Sequence, residues 1–313
     1  MHQRLEKVVV TGGAGFVGSH LVDRLLADTR AEVVVLDNLS RGRLTNLARH
    51  QADPRLHVVE GDVRDAALVT QTVRGANLVF HLAAQATVMG AVEDLDYSFS
   101  TNVVGTFNVL RESAAASVGR VVFASSREVY GEPIELPVDE GQPLLAINFY
   151  GASKVVGEAY CRAFRRASGL DTVILRLANA YGPRDYGRVI PLWIDQAGQG
   201  QDLHVYGGKQ VLDFVWVDQV VDALLAAGAA DVALPPINVG SGTGTKLMDL
   251  ARRIRLLSGG RGQIQIVPAR PMEVVQYVAR IDRMRQLLGI EPPADPLLHL
   301  DKLVQSPVAL AMR

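Results

Sequence analysis

Tyr150 and Lys154 stand four residues apart in "NFYGASKVVGEAYCRAF". On a helix this spacing puts both side chains on one face. A phenol with an ordinary pKa of about 10 is a poor base at neutral pH. A neighbouring ammonium favours its ionised form. Lysine is scarce here: five lysines (7, 154, 209, 246 and 302) stand against 27 arginines. A lysine kept in this pattern is a candidate for work that needs a compact, tunable ammonium. Ser126 ends the apolar run "VVFASS". In an open α/β sheet, ligands bind outside such strand ends. Ser126, Tyr150 and Lys154 are therefore the candidate catalytic residues, converging on one substrate hydroxyl.

Those three meet only if the chain folds around them. Strand-like runs at 7–11, 32–37, 56–60, 77–82, 120–125 and 171–177 alternate with helical patterns at 15–28, 65–74, 94–117 and 149–168. The alternation implies a Rossmann-type, doubly wound parallel sheet with helices on both faces. The second half is less regular. It reads as helices at 189–199, 218–229, 246–257 and 282–288 and short strands near 204–206, 212–216, 237–239 and 264–267. The expected fold is α/β, with a smaller C-terminal α/β lobe for substrate. Residues 1–178 form the dinucleotide domain, with 212–240 returning to it. Residues 179–211 and 241–313 form the lobe.

"KVVVTGGAGFVGSHLVDRLL" sets Gly12, Gly15 and Gly18 between the first strand and the first helix. Gly12 permits the tight turn, Gly15 lets backbone approach a pyrophosphate, and Gly18 lets helix pack on strand. The helix N-terminus offers free N–H groups to an anion. Phe16 and Val17 belong to the same loop. Asp37 ends the second strand, at about the interval from the glycines that a ribose-binding acid needs. Its carboxylate would repel a 2′-phosphate, which favours NAD over NADP. Asn38 follows it, and Asp62 and Val63 close the third strand, where an adenine amino group needs an acceptor.

Composition bounds the function. The chain has 313 residues, is 48% hydrophobic and carries a formal net charge of -1. This argues against a nucleic-acid or membrane-surface protein, which would show a basic excess. No apolar run approaches the roughly 20 residues that span a bilayer. The N-terminus goes straight into a strand. The lone Cys161 fits a reducing cytoplasm and reads as a small buried hydrophobe. No metal site is expected.

The motifs "TGGAGFVGSHL", "LDNLSRG", "GDVRD", "HLAAQ", "NVVGTFNVL", "SSREVYG", "YGASK", "LRLANAYGPR", "LDFVWVDQVV", "NVGSG" and "RPMEV" occur in order along nearly the whole chain. Together they resemble the extended short-chain dehydrogenases/reductases, in particular the NAD-dependent nucleotide-sugar epimerase/dehydratase family. The resemblance implies that Leu82, Ala83, Ala84 and Asn102 line the cofactor. It implies that Asn179 and Arg270 approach the diphosphate of a nucleotide sugar, and that the chain forms a homodimer through helices 94–117 and 149–168. Two departures stand out. Leu212 replaces an arginine that relatives place on the diphosphate, and Lys209 or another arginine is expected to compensate. Met272 replaces a usual glycine.

In this family a sugar carbon is oxidised first, with Tyr150 taking the hydroxyl proton. Dehydratase-like relatives carry an aspartate and a glutamate where this chain has Arg127 and Glu128. Glu128 occupies the base position, but a guanidinium is no proton donor. The first expectation is therefore a UDP-sugar 4-epimerase. UDP-glucuronate decarboxylation or 4,6-dehydration using Glu128 is the alternative. A non-catalytic NAD-binding regulator, or a reductase that releases its cofactor each cycle, is a further one. Arg127 can also bind a sugar carboxylate or phosphate. Successive extended residues face opposite ways, so at most one of Arg127 and Glu128 is expected to face the sugar.

Overall fold

Val8, Val10, Val33, Val35, Leu78 and Phe80 pack into one apolar cluster, while Val9, Val34, Val79, Val121 and Phe123 pack into another. Neighbours along each strand point to opposite faces, so a run with no polar alternation needs cover on both sides. The computed structural model, which describes residues 6–305, supplies that cover. The outer ends of the two expected units, 1–5 and 306–313, lie outside the described residues.

Seven parallel strands form the main sheet: β1 (Lys7–Thr11), β2 (Glu32–Asp37), β3 (Leu56–Glu60), β4 (Leu78–His81), β5 (Arg120–Ser126), β6 (Asp171–Leu177) and β10 (Ile237–Val239). Their order is β10-β6-β5-β4-β1-β2-β3. The strand order reverses between β1 and β4, and a crevice opens at the carboxyl ends of the strands there. Helices α1 (Phe16–Asp28) and α8 (Val217–Ala229) cover one face. Helices α2 (Ala66–Val73), α5 (Thr106–Ala115) and α6 (Phe149–Ser168) cover the other.

The smaller lobe holds β7 (Asn179–Tyr181), β9 (Val211–Trp216), β11 (Gly244–Lys246) and β13 (Gln276–Tyr277) in one sheet, and β8 (Leu203–Tyr206) with β12 (Ile264–Val267) in another. Helices α7 (Val189–Gly198) and α9 (Leu247–Leu257) pack against them.

One expectation needs correction. Residues 212–216 do not return to the main sheet: β9 pairs with β7, β11 and β13. Asp213 pins it there, because its carboxylate accepts from the backbone N–H groups of Ser241 (2.7 Å), Gly242 (3.0 Å) and Ala279 (3.1 Å). The expected helix 94–117 is present as one continuous helical run, Leu95–Ala115, with right-handed helical backbone at every junction. It runs as α4 (Leu95–Phe99), a π-helical turn (Ser100–Gly105) and α5, preceded by an unforeseen α3 (Val88–Glu93) capped by Thr87. Gly105 faces Val63 so closely that a Cβ there would lie 2.5 Å from a Val63 methyl group. The widened turn also aims Asn102 back toward the crevice wall.

Candidate active site

Helix α6 starts where Asn148 accepts a hydrogen bond from Gly151 N (2.7 Å). Its buried stripe is Gly151, Ser153, Lys154, Gly157, Glu158 and Cys161. Gly157 lets the helix lie against the Phe123 ring, which a Cβ would meet at 2.5 Å. That close packing carries Lys154 under the end of β5. Its ammonium donates to Ala124 O (2.9 Å) and lies 4.8 Å from the Phe123 ring centre and 5.8 Å from that of Tyr150. Burial lowers the Lys154 pKa to about 8. Burial raises the Tyr150 phenol above its usual value, while the charge of Arg188 and the Ser126 hydroxyl favour its ionised form. Ser126 Oγ accepts from Glu128 N (3.2 Å), which leaves its own proton to donate into the cleft.

The cleft, of about 850 Å³, runs from the glycine loop past these three residues into the lobe. Gly12, Gly15, Phe16, Val17, Gly18, Asp37, Asn38, Val63, Leu82, Ala83 and Ala84 all line it. Two of the three glycines have no room for a side chain. Gly12 has φ +73° and a Cβ there would meet Ala83 N at 2.8 Å; one at Gly18 would collide with the Gly12 carbonyl. No side chain caps the N-terminus of α1, so its first N–H groups remain available to an anion. Asp37 accepts from Ala14 N and Leu39 N, both at 2.9 Å, and its carboxylate borders the cleft. These features fit a dinucleotide.

Some expected residues stand further back. Asn102 is almost fully buried behind the wall, where it holds Gln85 N (2.8 Å), Gln85 O (3.0 Å) and Ser153 Oγ (3.0 Å). Asp62 lies outside the cleft lining, held by Arg64 (2.8 Å) and by Asn38 Nδ2 (2.8 Å). Lys209 is exposed in its turn and does not line the cleft. Arginines 41, 184, 188 and 270 do border the cleft. Arg270 stacks 3.6 Å above the Tyr206 ring and reaches Glu273 at 3.4 Å. Met272 adopts φ +65°, a conformation that suits the glycine it replaces.

Arg127 and Glu128 both line the cleft. The chain leaves β5 as a 3-10 turn, Arg127–Tyr130, so the extended geometry behind the expectation that at most one of the two faces the sugar does not hold here. They form an ion pair at 2.8 Å with side chains only 11% and 6% exposed. Glu128 Oε2 also accepts from Asn148 Nδ2 (2.7 Å), and Arg127 Nε donates to Asn179 Oδ1 (3.2 Å). The sequence reading missed Arg188 and Asn148. Arg188 sits in no recognisable pattern. Asn148 carried a signal, an N-cap residue directly before a helical run. It also missed His81, buried between the hydroxyls of Thr11 (2.7 Å) and Thr106 (2.9 Å). Burial first, and the charge of Lys154 second, lower its pKa to about 3.

A glycine cradle at the sheet's reversal point, with a Ser–Tyr–Lys cluster beyond it, defines a dinucleotide-dependent enzyme class that works on hydroxyl groups. Residues 8–240 match the NAD dependent epimerase/dehydratase family. The chain belongs to that family, and its cofactor is NAD. It is 36% identical over 295 residues to a putative UDP-glucose 4-epimerase of Methanocaldococcus jannaschii, covering 92% of this chain and 94% of that one. It is 32% identical over 296 residues to UDP-glucuronic acid decarboxylase 5 of Arabidopsis thaliana, covering 91% and 84%. A dTDP-glucose 4,6-dehydratase from Streptomyces venezuelae, solved with NAD bound, superposes with a TM-score of 0.91 at 33% identity, covering 96% of each chain. The three relatives are named for three different reactions on nucleotide sugars.

Proposed function

We propose that this protein is an NAD-dependent nucleotide-sugar 4-epimerase, most readily a UDP-sugar 4-epimerase. NAD, when bound, supplies the acceptor and donor of a hydride. Tyr150, as phenolate, takes the proton of the sugar's C4 hydroxyl. Ser126 donates a hydrogen bond to the same oxygen and keeps its proton. Lys154 holds positive charge beside the phenolate and lowers the cost of forming it. The 4-keto sugar then presents its other face, and Tyr150 returns the proton. The arginines around the cleft offer charge to a diphosphate.

The observation that carries the choice of reaction is the engagement of Glu128. One carboxylate oxygen accepts from Arg127 and the other from Asn148. Each oxygen keeps a lone pair, but the two donors hold the carboxylate in one orientation, and a base for the C5 proton would have to work from there. Arg127, standing where a dehydratase needs an acid, has no proton to give. UDP-glucuronate decarboxylation is the second reading. The likeness to the Arabidopsis decarboxylase supports it, since loss of CO2 from a 4-keto uronate needs no protonated leaving group. A purely regulatory role is disfavoured by the assembled Ser126, Tyr150 and Lys154.

A proton NMR time course in D2O separates these readings. Purified protein receives UDP-glucose, UDP-N-acetylglucosamine, UDP-glucuronate or dTDP-glucose in turn, with no added cofactor. The expected product is a C4 epimer without deuterium. Tyr150→Phe is expected to lose turnover by about a hundredfold or more while still binding NAD. A pentose, a 4-keto-6-deoxy sugar or deuterium at C5 would overturn the epimerase reading.

A further inference from the structure

The Arg127–Glu128 pair does more than close the end of β5. Both side chains border the cleft next to Ser126, and both charges act on the Tyr150 phenol. They therefore lie close to the Tyr150 phenol, on the side of the cleft where Ser126 ends β5. The guanidinium is committed on two sides, through Nη2 to Glu128 (2.8 Å) and through Nε to Asn179 (3.2 Å). Its third nitrogen, Nη1, is buried with no hydrogen-bond partner among the described residues. A buried donor without an acceptor is costly, and an oxygen from a ligand relieves that cost.

The charge of that ligand oxygen follows from the pair. The guanidinium's positive charge is already met by Glu128, so the subsite as a whole is neutral. A substituent carrying its own carboxylate would lie close to Glu128 in a poorly solvated place, and two like charges there oppose binding. A hydroxyl or an amide carbonyl can accept from Nη1 without that penalty. Asn148 fixes Glu128 from the other side, and Asn148 Nδ2 also reaches Met272 O (3.2 Å), so the carboxylate cannot easily turn away.

We propose that Arg127 and Glu128 form a neutral selection subsite that admits sugars with an uncharged acceptor beside the reacting carbon and rejects uronic acids, with Glu128 as the excluding charge. This deepens the epimerase reading and rests on it for the presence of a sugar in the cleft.

The test reads binding rather than turnover, so the two can fail separately. The NAD-loaded protein is first titrated with UDP and with dTDP to choose the carrier nucleotide. Calorimetry then compares the glucose and glucuronate conjugates of that carrier. The wild type is expected to bind the glucose conjugate about tenfold more tightly or better. Glu128→Gln frees the Arg127 charge and is expected to shift the ratio toward the glucuronate conjugate by about tenfold, with affinity for the bare nucleotide unchanged. Equal or tighter wild-type binding of glucuronate overturns the proposal without any variant. An unchanged ratio in a Glu128→Gln protein that still binds the nucleotide also overturns it. If neither nucleotide binds, the reading as a UDP- or dTDP-sugar enzyme falls, and the subsite proposal with it.

Discussion

Lys154 and Tyr150 are tuned in opposite directions. Burial brings the ammonium's pKa down to about 8 and pushes the phenol up. A phenol with a raised pKa is mostly protonated at neutral pH, so the fraction competent as base grows as pH rises. The Lys154 ammonium opposes that rise, because positive charge beside the ring favours phenolate. In Lys154→Met the charge is gone and the acidic limb of kcat moves to higher pH, by about one unit or more, with turnover at pH 7 down about ten- to a hundredfold. A limb that stays in place would show that Lys154 only packs the helix. These two residues were legible because their spacing is local. Ser126 was legible as the polar end of an apolar run. Asn102 was placed by motif alone, and Lys209 only as a stand-in for the arginine missing at Leu212. The widened turn carries Asn102 behind the wall, and the turn bearing Lys209 points it at solvent. Arg188 belongs to no local pattern, and only the path of the chain after β7 brings it to the cleft.

At the scale of elements, β1 to β6 and the long helix α6 were readable, since each carries a sustained apolar run or stripe. The π-helical turn was not, because its cause lies in contacts far along the chain, between Asn102 and Gln85 and between Gly105 and Val63. The lobe was harder still: β13 has two residues, too few to show any period. The segment that links β7 to α7 holds the clearest stored cost. Asp185 Oδ2 is buried with no partner among the described residues, and its Oδ1 lies 3.7 Å from Arg188. Burial raises its carboxyl to about 6. The folded state therefore binds this proton more tightly than the unfolded chain, whose aspartate titrates near 3.9. The group's effect on stability worsens as pH rises from about 4 to about 6, and the penalty persists above that. Asp185→Asn is expected to stabilise the protein by about 1–3 kcal/mol at pH 7.5 and by much less near pH 4.5. Urea melts at the two pH values check the difference. A loss of stability at pH 7.5 would mean that the attraction of Arg188 and Arg41 outweighs the burial.

For the whole molecule, the open question is how many copies act together. Helices α3, α4 and α6 and the π-helical turn pack side by side, and they expose Met89, Leu95, Phe99, Val104, Phe149 and Val156. Phe99 alone is 60% exposed. No helix among the described residues is long and apolar enough to cross a membrane, so a lipid-spanning role does not account for this surface. Contiguous apolar patches of this kind mark interaction sites more often than free surface. A twofold dimer would cover the same patch on both copies, each giving about 800 Å². Such a dimer would also brace α6, which carries Tyr150 and Lys154, from behind. Light scattering is expected to give twice the 33.8 kDa chain mass. Phe99→Arg combined with Val156→Arg is expected to give the monomer with NAD binding retained, because neither residue lines the cleft. A second exposed apolar set, Ile134, Leu136, Leu145 and Ile147, lies on the loop before α6 and serves as the rival surface. If Ile147→Arg gives the monomer while the helix variant stays dimeric, the contact runs through that loop. A wild type that scatters as a monomer removes the homodimer altogether.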